Sequence, residues 1–497
     1  MNRETVLAQF AEYQQQMAAY NFIRFHISWD ASTRAPKGSG AYRSKMLGIL
    51  SGDHFAYCMK PVNISLLETV SQMSDIDPLL QKSAAKYLRE TNKIRKIPQA
   101  EFVAHQQDLS LAATAWEEAR KTNNYALFAP YLAKMIEYDK RAVEYRGVSG
   151  HPYNTLLDDY EAGMTIEKYD AFFNALRAEL VPFAKSVHKD GRKIDDSPLY
   201  QFYPKAKQRE FLLYLAGVLR YDLNRGSISQ SAHPFTNGAS RDDVRITARY
   251  LENYLPASVF LGMHEMGHAM HAQQIDPRLD ATNLDFGGCG LGESQSRFYE
   301  NYIGRSHAFW QRHFGKLQNL FPEQLANLNP ESFWRLVNRS KPGLIRLDAD
   351  ELTYPMHIMV RYELEREIFS GDVDVRRLPQ KWNDKMEEYL GVRPTTDSEG
   401  LLQDSHWSGG SFGYFPTYAL GTAYGAQFYY TMIKTVDLER EIANDRMENV
   451  NAWLKENIHQ YGGLLEPDEL MNKVTGESFD PKYFIRYIKE KFSRIYF

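Results

Sequence analysis

The chain has 497 residues, with 59 Lys plus Arg against 63 Asp plus Glu, a net charge of −4 and two cysteines, Cys58 and Cys289. That length supports one large core or two lobes. The near-balanced charge leaves no electrostatic footprint for nucleic acid or an anionic membrane surface, and two cysteines build no disulfide framework. The opening decapeptide Met1–Phe10 has no apolar run of the signal-peptide kind, and no 18-residue apolar stretch occurs. A soluble cytoplasmic protein is expected. Helical periodicity dominates and predicts helices over 4–20, 41–57, 79–94, 98–121, 125–147, 166–188 and 206–220. The stretch 190–240 is the loopiest, with Asp190-Gly191-Arg192-Lys193 and Asn224-Arg225-Gly226-Ser227. It is a weak boundary within what is otherwise a single domain over 1–497, separating a helical N-terminal lobe from a second lobe. Val244, Ile246 and Ala248 alternate with polar residues and predict a strand over Asp243–Tyr250. Its exposed edge can pair with an extended peptide; a plain structural hairpin fits the same residues. Helices follow over 257–275, 292–313, 331–340, 350–369, 377–389, 417–434, 446–459 and 481–492.

The most informative residues lie on the predicted helix 257–275. They read His264-Glu265-Met266-Gly267-His268. Residues four apart share a helix face about 6 Å apart along the axis, so both imidazoles can reach one metal ion. Glu265 projects to the side, where it can hold the attacking water as a general base. Pro256 and Ser258 suit a helix start, and Pro277 marks its end. Val259, Met263, Met266 and Met270 form an apolar stripe that reads as core packing, beside a stripe of Phe260, His264, His268 and His271. A chance copy of the pentapeptide in a chain of this composition has a probability on the order of a few per cent. A chance copy on an amphipathic helix followed by a suitable third ligand is much rarer.

His271 lies seven residues after His264, about 10 Å along the axis, too far to share its ion, and is expected to be a surface or packed histidine. A third histidine six residues after the second would fall at Gln274, which excludes that arrangement. A glutamate on a second helix remains, and Glu293 stands 25 residues after His268 behind a loop with Gly287, Gly288 and Gly290. Its bland alternative is an i,i+4 pair with Arg297. Cys289, close by, reads as a small packed residue.

Downstream, Ile345-Arg346-Leu347-Asp348-Ala349-Asp350 offers an arginine for a free substrate carboxylate, or a structural pair between Arg346 and Asp348 or Asp350. Gly400-Leu-Leu-Gln-Asp-Ser-His406-Trp407 is followed by a run carrying Tyr414 and Tyr418. Imidazole N–H and phenol O–H are suitable donors for the oxyanion of peptide hydrolysis. With 14 histidines and 32 tyrosines in the chain, each is also plausible as a structural residue.

Five motifs in order carry a family resemblance: His233-Pro234-Phe235, Asp243-Val-Arg245-Ile-Thr247, the histidine pentapeptide, Ile345–Asp350 and Gly400–Trp407, preceded by Trp29-Asp-Ala-Ser-Thr-Arg-Ala-Pro36. The chain resembles the carboxypeptidase Taq family of metallocarboxypeptidases over essentially its whole length. The resemblance implies a mostly α fold with a deep cleft and a small β-sheet, similar to the neurolysin and angiotensin-converting-enzyme group. It implies a homodimer that releases C-terminal residues from short peptides with broad specificity, using one zinc or cobalt ion per chain. His264, His268 and Glu293 become the ligands, and Glu265 the base. Arg346, His233, Arg245 and Tyr414 become substrate-binding residues, and His406 and Tyr418 the transition-state donors. A related oligopeptidase or dipeptidyl-carboxypeptidase, and a non-catalytic peptide-binding protein on the same fold, are the rival readings. One departure stands out. The family's third-ligand motif reads His-Glu-Ser-Gln, and this chain has Gly292-Glu293-Ser294-Gln295. A lost group beside a ligand can weaken metal binding or activity 10–100-fold. Gly292→His then either restores that support or clashes with a side chain of the 285–290 loop that has taken the space.

Overall fold

The computed structural model describes residues 2–147, 150–280, 282–371 and 374–497. Its architecture is mostly helical with one small sheet among the described residues. A long first helix, Arg3–Thr33, starts where the Asn2 side chain accepts the Thr5 N–H. It packs Phe10 and Tyr13 against Leu67, Val70 and Ala84 of the next helices in a satellite cluster. The main apolar core runs from Ala112 to Tyr496 and includes the buried methionine stripe, Met263, Met266 and Met270. The expected helix around the pentapeptide spans Pro256–Gln273.

Several elements differ from expectation. Helices Pro61–Gln72, Pro152–Tyr160 and Pro467–Thr475 were not anticipated, although each opens on a proline, whose fixed φ suits the first helical turn. The continuous helix expected over 292–313 is three pieces: Cys289–Arg297, a π-helical turn Phe298–Ile303, and His307–Leu320. Ser306 accepts the Phe309 N–H and starts the third piece as a cap.

The stretch expected to be loop contains two strands, β1 (Gly226–Gln230) and β2 (Thr236–Ser240), which flank β3 (Asp243–Ala248). The order is β1-β3-β2, with β1 parallel and β2 antiparallel to β3, and Ile246 opposite both Ile228 and Thr236. β3 is therefore central and has no free edge, which corrects the expectation that it could pair with a peptide. The outer strand beside the cleft is β2, whose Thr236, Asn237, Gly238 and Ser240 line it. Its Thr-Asn-Gly-Ala-Ser sequence reads as turn chemistry, and only pairing with the apolar β3 makes it a strand.

Candidate active site

The helix Pro256–Gln273 presents His264 and His268 to a cleft of about 760 Å³, and the helix Cys289–Arg297 brings Glu293 to them. The second helix can come this close because glycines face it on both sides. A Cβ on Gly267 would lie 2.7 Å from the Gln295 carbonyl oxygen and the Ser296 Cα. A Cβ on Gly421, in the helix Pro416–Met432, would lie 2.6 Å from the Glu293 Cβ. Real Cβ atoms do not approach this closely, so both positions require glycine.

Glu293 Oε2 stands 3.7 Å from the Nε2 of His264 and 3.7 Å from the Nε2 of His268. One ligand atom from each of the three residues falls within 4.8 Å of the others. The other oxygen of Glu293 accepts from Arg297 Nε at 2.8 Å, so the i,i+4 pair and the ligand geometry coexist. His264 Nδ1 lies 3.1 Å from Glu300 Oε2, and Glu300 also accepts from Arg297 and Arg305. A carboxylate on the far nitrogen fixes the tautomer that leaves Nε2 free to ligate. Burial opposes ionisation of Glu300, yet Arg297, His264 and Arg305 hold it well below the usual carboxylate range. Burial also acts to lower His264, but Glu293 and Glu300 win and raise it, whereas burial drives His268 well down. Two imidazoles and a carboxylate converging from two helices, with the far nitrogen of His264 held by a second carboxylate, fit a divalent zinc-type ion.

Glu265 is buried, and that burial raises its pKa; His264 and a hydrogen bond from Thr236 pull the other way. Thr236 Oγ1 donates to Glu265 Oε2 over 2.6 Å. His271 is a packed histidine: its ring stands 4.9 Å from His459, and burial lowers it to about 4. The Cys289 thiol is pushed up to about 12 by burial, so no thiolate stands near the site at neutral pH.

The cleft has two unlike ends. Tyr254, just before the motif helix, interacts with Arg339, which acts with Arg249 on Asp348 next to Leu347; Ile275, just past the helix, accepts from Arg241 and packs with Leu284, two residues before Phe286. The antiparallel turn from β2 to β3 sets this polarity, and Arg241 donates to the Ile275 carbonyl at 2.9 Å.

Arg346 lines the cleft but is only 4% exposed. It pairs with neither Asp348 nor Asp350. Its Nη2 donates to Asp404 Oδ1 at 2.7 Å and its Nη1 to the Tyr354 hydroxyl at 3.0 Å. Arg361 Nε donates to the other oxygen of Asp404 at 2.7 Å. Burial opposes the Asp404 charge, but Arg361 and Arg346 overcome it and hold its carboxyl far below normal. Two guanidiniums thus share one carboxylate beside the cleft.

Tyr414 and Tyr418 line the cleft with their rings edge to face at 5.2 Å, and His406 stands behind them, its Nε2 3.3 Å from the Tyr418 hydroxyl. His406 is lowered to about 4 by burial, and its Nδ1 is buried without a partner. His233 is exposed at the rim. Arg245 does not line the cleft. It is bonded to Asp243 at 2.6 Å and lies over the rings of Phe25 and Trp29, tying the first helix to the sheet.

Sequence reasoning missed four residues. Glu300 follows Glu293 by seven positions, a same-face spacing that could have marked it. Thr236 directly follows the His233-Pro-Phe235 motif. Arg249 ends the alternating strand pattern; it is exposed in the cleft and has no ion pair among the described residues. Tyr354 has no sequence signal. At Gly292 a Cβ would stand 2.7 Å from Phe286 Cζ, so a ring of the 285–290 loop fills the space beside the third ligand.

Comparison with known proteins agrees with this geometry. Residues 9–492 match the family model described as carboxypeptidase Taq (M32) metallopeptidase. The chain is 38% identical to carboxypeptidase 1 of Bacillus subtilis over the whole of both chains. It is 35% identical to thermostable carboxypeptidase 1 of Pyrococcus furiosus over 98% of each. The structure superposes on that of the Pyrococcus furiosus carboxypeptidase with a TM-score of 0.96 at 34% identity, covering 99% of both.

Proposed function

The chain belongs to the carboxypeptidase Taq (M32) family of metallopeptidases, and on that premise we propose that it is a metallocarboxypeptidase that removes C-terminal residues one at a time from short peptides. The observation that carries this is the convergence of His264, His268 and Glu293 within 4.8 Å, with a buried carboxylate, Glu265, on the same helix as both histidines.

His264, His268 and Glu293 would hold one divalent ion per chain, zinc or cobalt, which when bound would supply Lewis acidity to the scissile carbonyl and to the attacking water. Glu265 takes the proton from that water and delivers it to the leaving amine. Thr236 holds the Glu265 carboxylate in line. The free edge of β2 pairs with the extended peptide backbone. The Tyr418 hydroxyl donates to the developing oxyanion, and His406 positions that hydroxyl from behind. The substrate carboxylate goes to the arginine-rich end, toward Arg346 and Arg249. His233 and Tyr414 line its path, and Arg245 acts at one remove by fixing the strand. Homodimer formation and a cytoplasmic setting complete the proposal, supported respectively by the family resemblance and by the two unpaired cysteines.

Mass spectrometry of products from one short peptide tests this, with the C-terminus free or amidated and with or without chelator. Sequential loss of single residues from the free form alone, abolished by chelator, is expected. Release of dipeptides, or equal cleavage of the amidated form, would replace the carboxypeptidase with an oligopeptidase.

A further inference from the structure

The loop between the helices that carry His264, His268 and Glu293 lays an aromatic ring against the backbone of Gly292. Gly292 is buried, and a Cβ there would stand 2.7 Å from Cζ and 3.3 Å from Cε2 of Phe286. The ring therefore lies on bare backbone next to Glu293. It is not core: Phe286 is 48% exposed and lines the cleft. Its backbone is pinned on both sides, by Lys86 Nζ donating to the Phe286 carbonyl at 2.9 Å and by the Gly463 N–H donating to the Leu284 carbonyl at 2.8 Å. A half-exposed aromatic ring on an anchored backbone inside a cleft is a surface prepared for an apolar ligand group. Its position gives the group. Phe286 follows Leu284, which packs in one cluster with Ile275 just past the C-terminal end of the motif helix, whereas Arg249 acts with Arg339 on Asp348, next to Leu347 and near Tyr254 before that helix begins. A peptide with its carboxylate at the arginine end and its scissile bond at the histidines extends its acyl portion toward Phe286.

We propose that Phe286 is a specificity-determining residue whose ring contacts an apolar or aromatic side chain on the substrate residue preceding the one released, and that Gly292 provides the space in which the ring lies. This rests on the carboxypeptidase reading of the cleft. The contact is lost when the ring is removed by F286A or displaced by G292H.

The test uses two peptide panels. In the first the penultimate residue is Phe, Leu, Ala or Glu before a constant terminal residue; in the second the terminal residue varies. The parent enzyme is expected to prefer Phe and Leu in the first panel. F286A reduces that preference in kcat/KM roughly tenfold, the scale of a lost apolar contact, while the ranking in the second panel and the metal content stay unchanged. G292H reproduces the F286A pattern, and adding it to F286A changes the first-panel preference no further, because the two substitutions remove one contact. A parent without that preference, an equal loss across both panels, a change confined to the second panel, or G292H with preference intact would each overturn the proposal. Failure of the carboxypeptidase reading is distinguishable, since the parent itself would then cleave amidated peptides or release more than one residue per event.

Discussion

Thr236 Oγ1 and Glu265 Oε2 are 2.6 Å apart, so the outer strand of the sheet is joined directly to the carboxylate proposed as the general base. The strand that would receive the peptide backbone thus also orients the base. Thr236→Val keeps the volume and removes the donor. A hydrogen bond to a charged group contributes about 1.5–3 kcal/mol, so kcat should fall roughly 10–100-fold with metal content unchanged. Glu265→Gln, which removes the base itself, should fall about 10²–10⁴-fold. Steady-state kinetics on metal-loaded proteins compares the two; an unaltered kcat for Thr236→Val would confine the hydroxyl to a structural role.

Glu300 reaches the candidate metal site through His264 Nδ1. Glu300→Gln should weaken metal affinity about 10–100-fold in competition with a chelator. Glu293→Ala should lose the metal outright, since it removes one of three ligands. Stoichiometric metal in Glu293→Ala at submicromolar free ion would place the third ligand elsewhere.

Arg249 and Arg346 both line the cleft, but of the two only Arg249 is exposed and, among the described residues, without an ion pair. Arg249→Ala should raise KM for free-carboxylate peptides and leave thermal stability nearly unchanged. Arg346→Ala should lower both activity and stability, because it strips Asp404 Oδ1 and the buried Tyr354 hydroxyl of the donor they share. The ratio of rates on free and amidated peptides, measured beside thermal unfolding, separates the two roles.

His313 is buried, and that burial lowers its pKa to about 4; its Nδ1 lies 2.7 Å from the Tyr214 hydroxyl. A histidine with a depressed folded-state value contributes stability that is present above its unfolded value, near 6.5, and is lost as pH falls toward 4. The loss amounts to about 3 kcal/mol for the single group. His313→Gln should therefore be less acid-sensitive than the parent between pH 6.5 and 4. Denaturant midpoints at several pH values check this, and parallel curves for the two proteins would assign the acid response to other groups.

The convergence of His264, His268 and Glu293 was legible because helical spacing places the two histidines on one face, and a glycine loop leads to Glu293. The partner of Arg346 was not, because Asp404 lies 58 residues away and only the tertiary fold brings it there. Local sequence offered Asp348 and Asp350 instead. The sheet was half legible. β3 alternates clearly, whereas β2 carries the composition of a turn and becomes a strand only beside its partner. Phe286 was open only as one of several side chains on the 285–290 loop, since nothing in the sequence says which of them turns toward Gly292.

Gly267 is one of the two letters that the His-Glu-x-x-His pattern leaves unspecified. In this protein it is not free to vary, because the neighbouring helix backbone lies where its side chain would be. A methyl group there would push Glu293 away from both histidines without altering a single ligand. A pattern search would still return such a variant as intact, and a metal titration would return it as defective. In this fold the identity of the coordinating side chains and the clearance between the helices that carry them are separate inheritances, and a substitution can break the second while preserving the first.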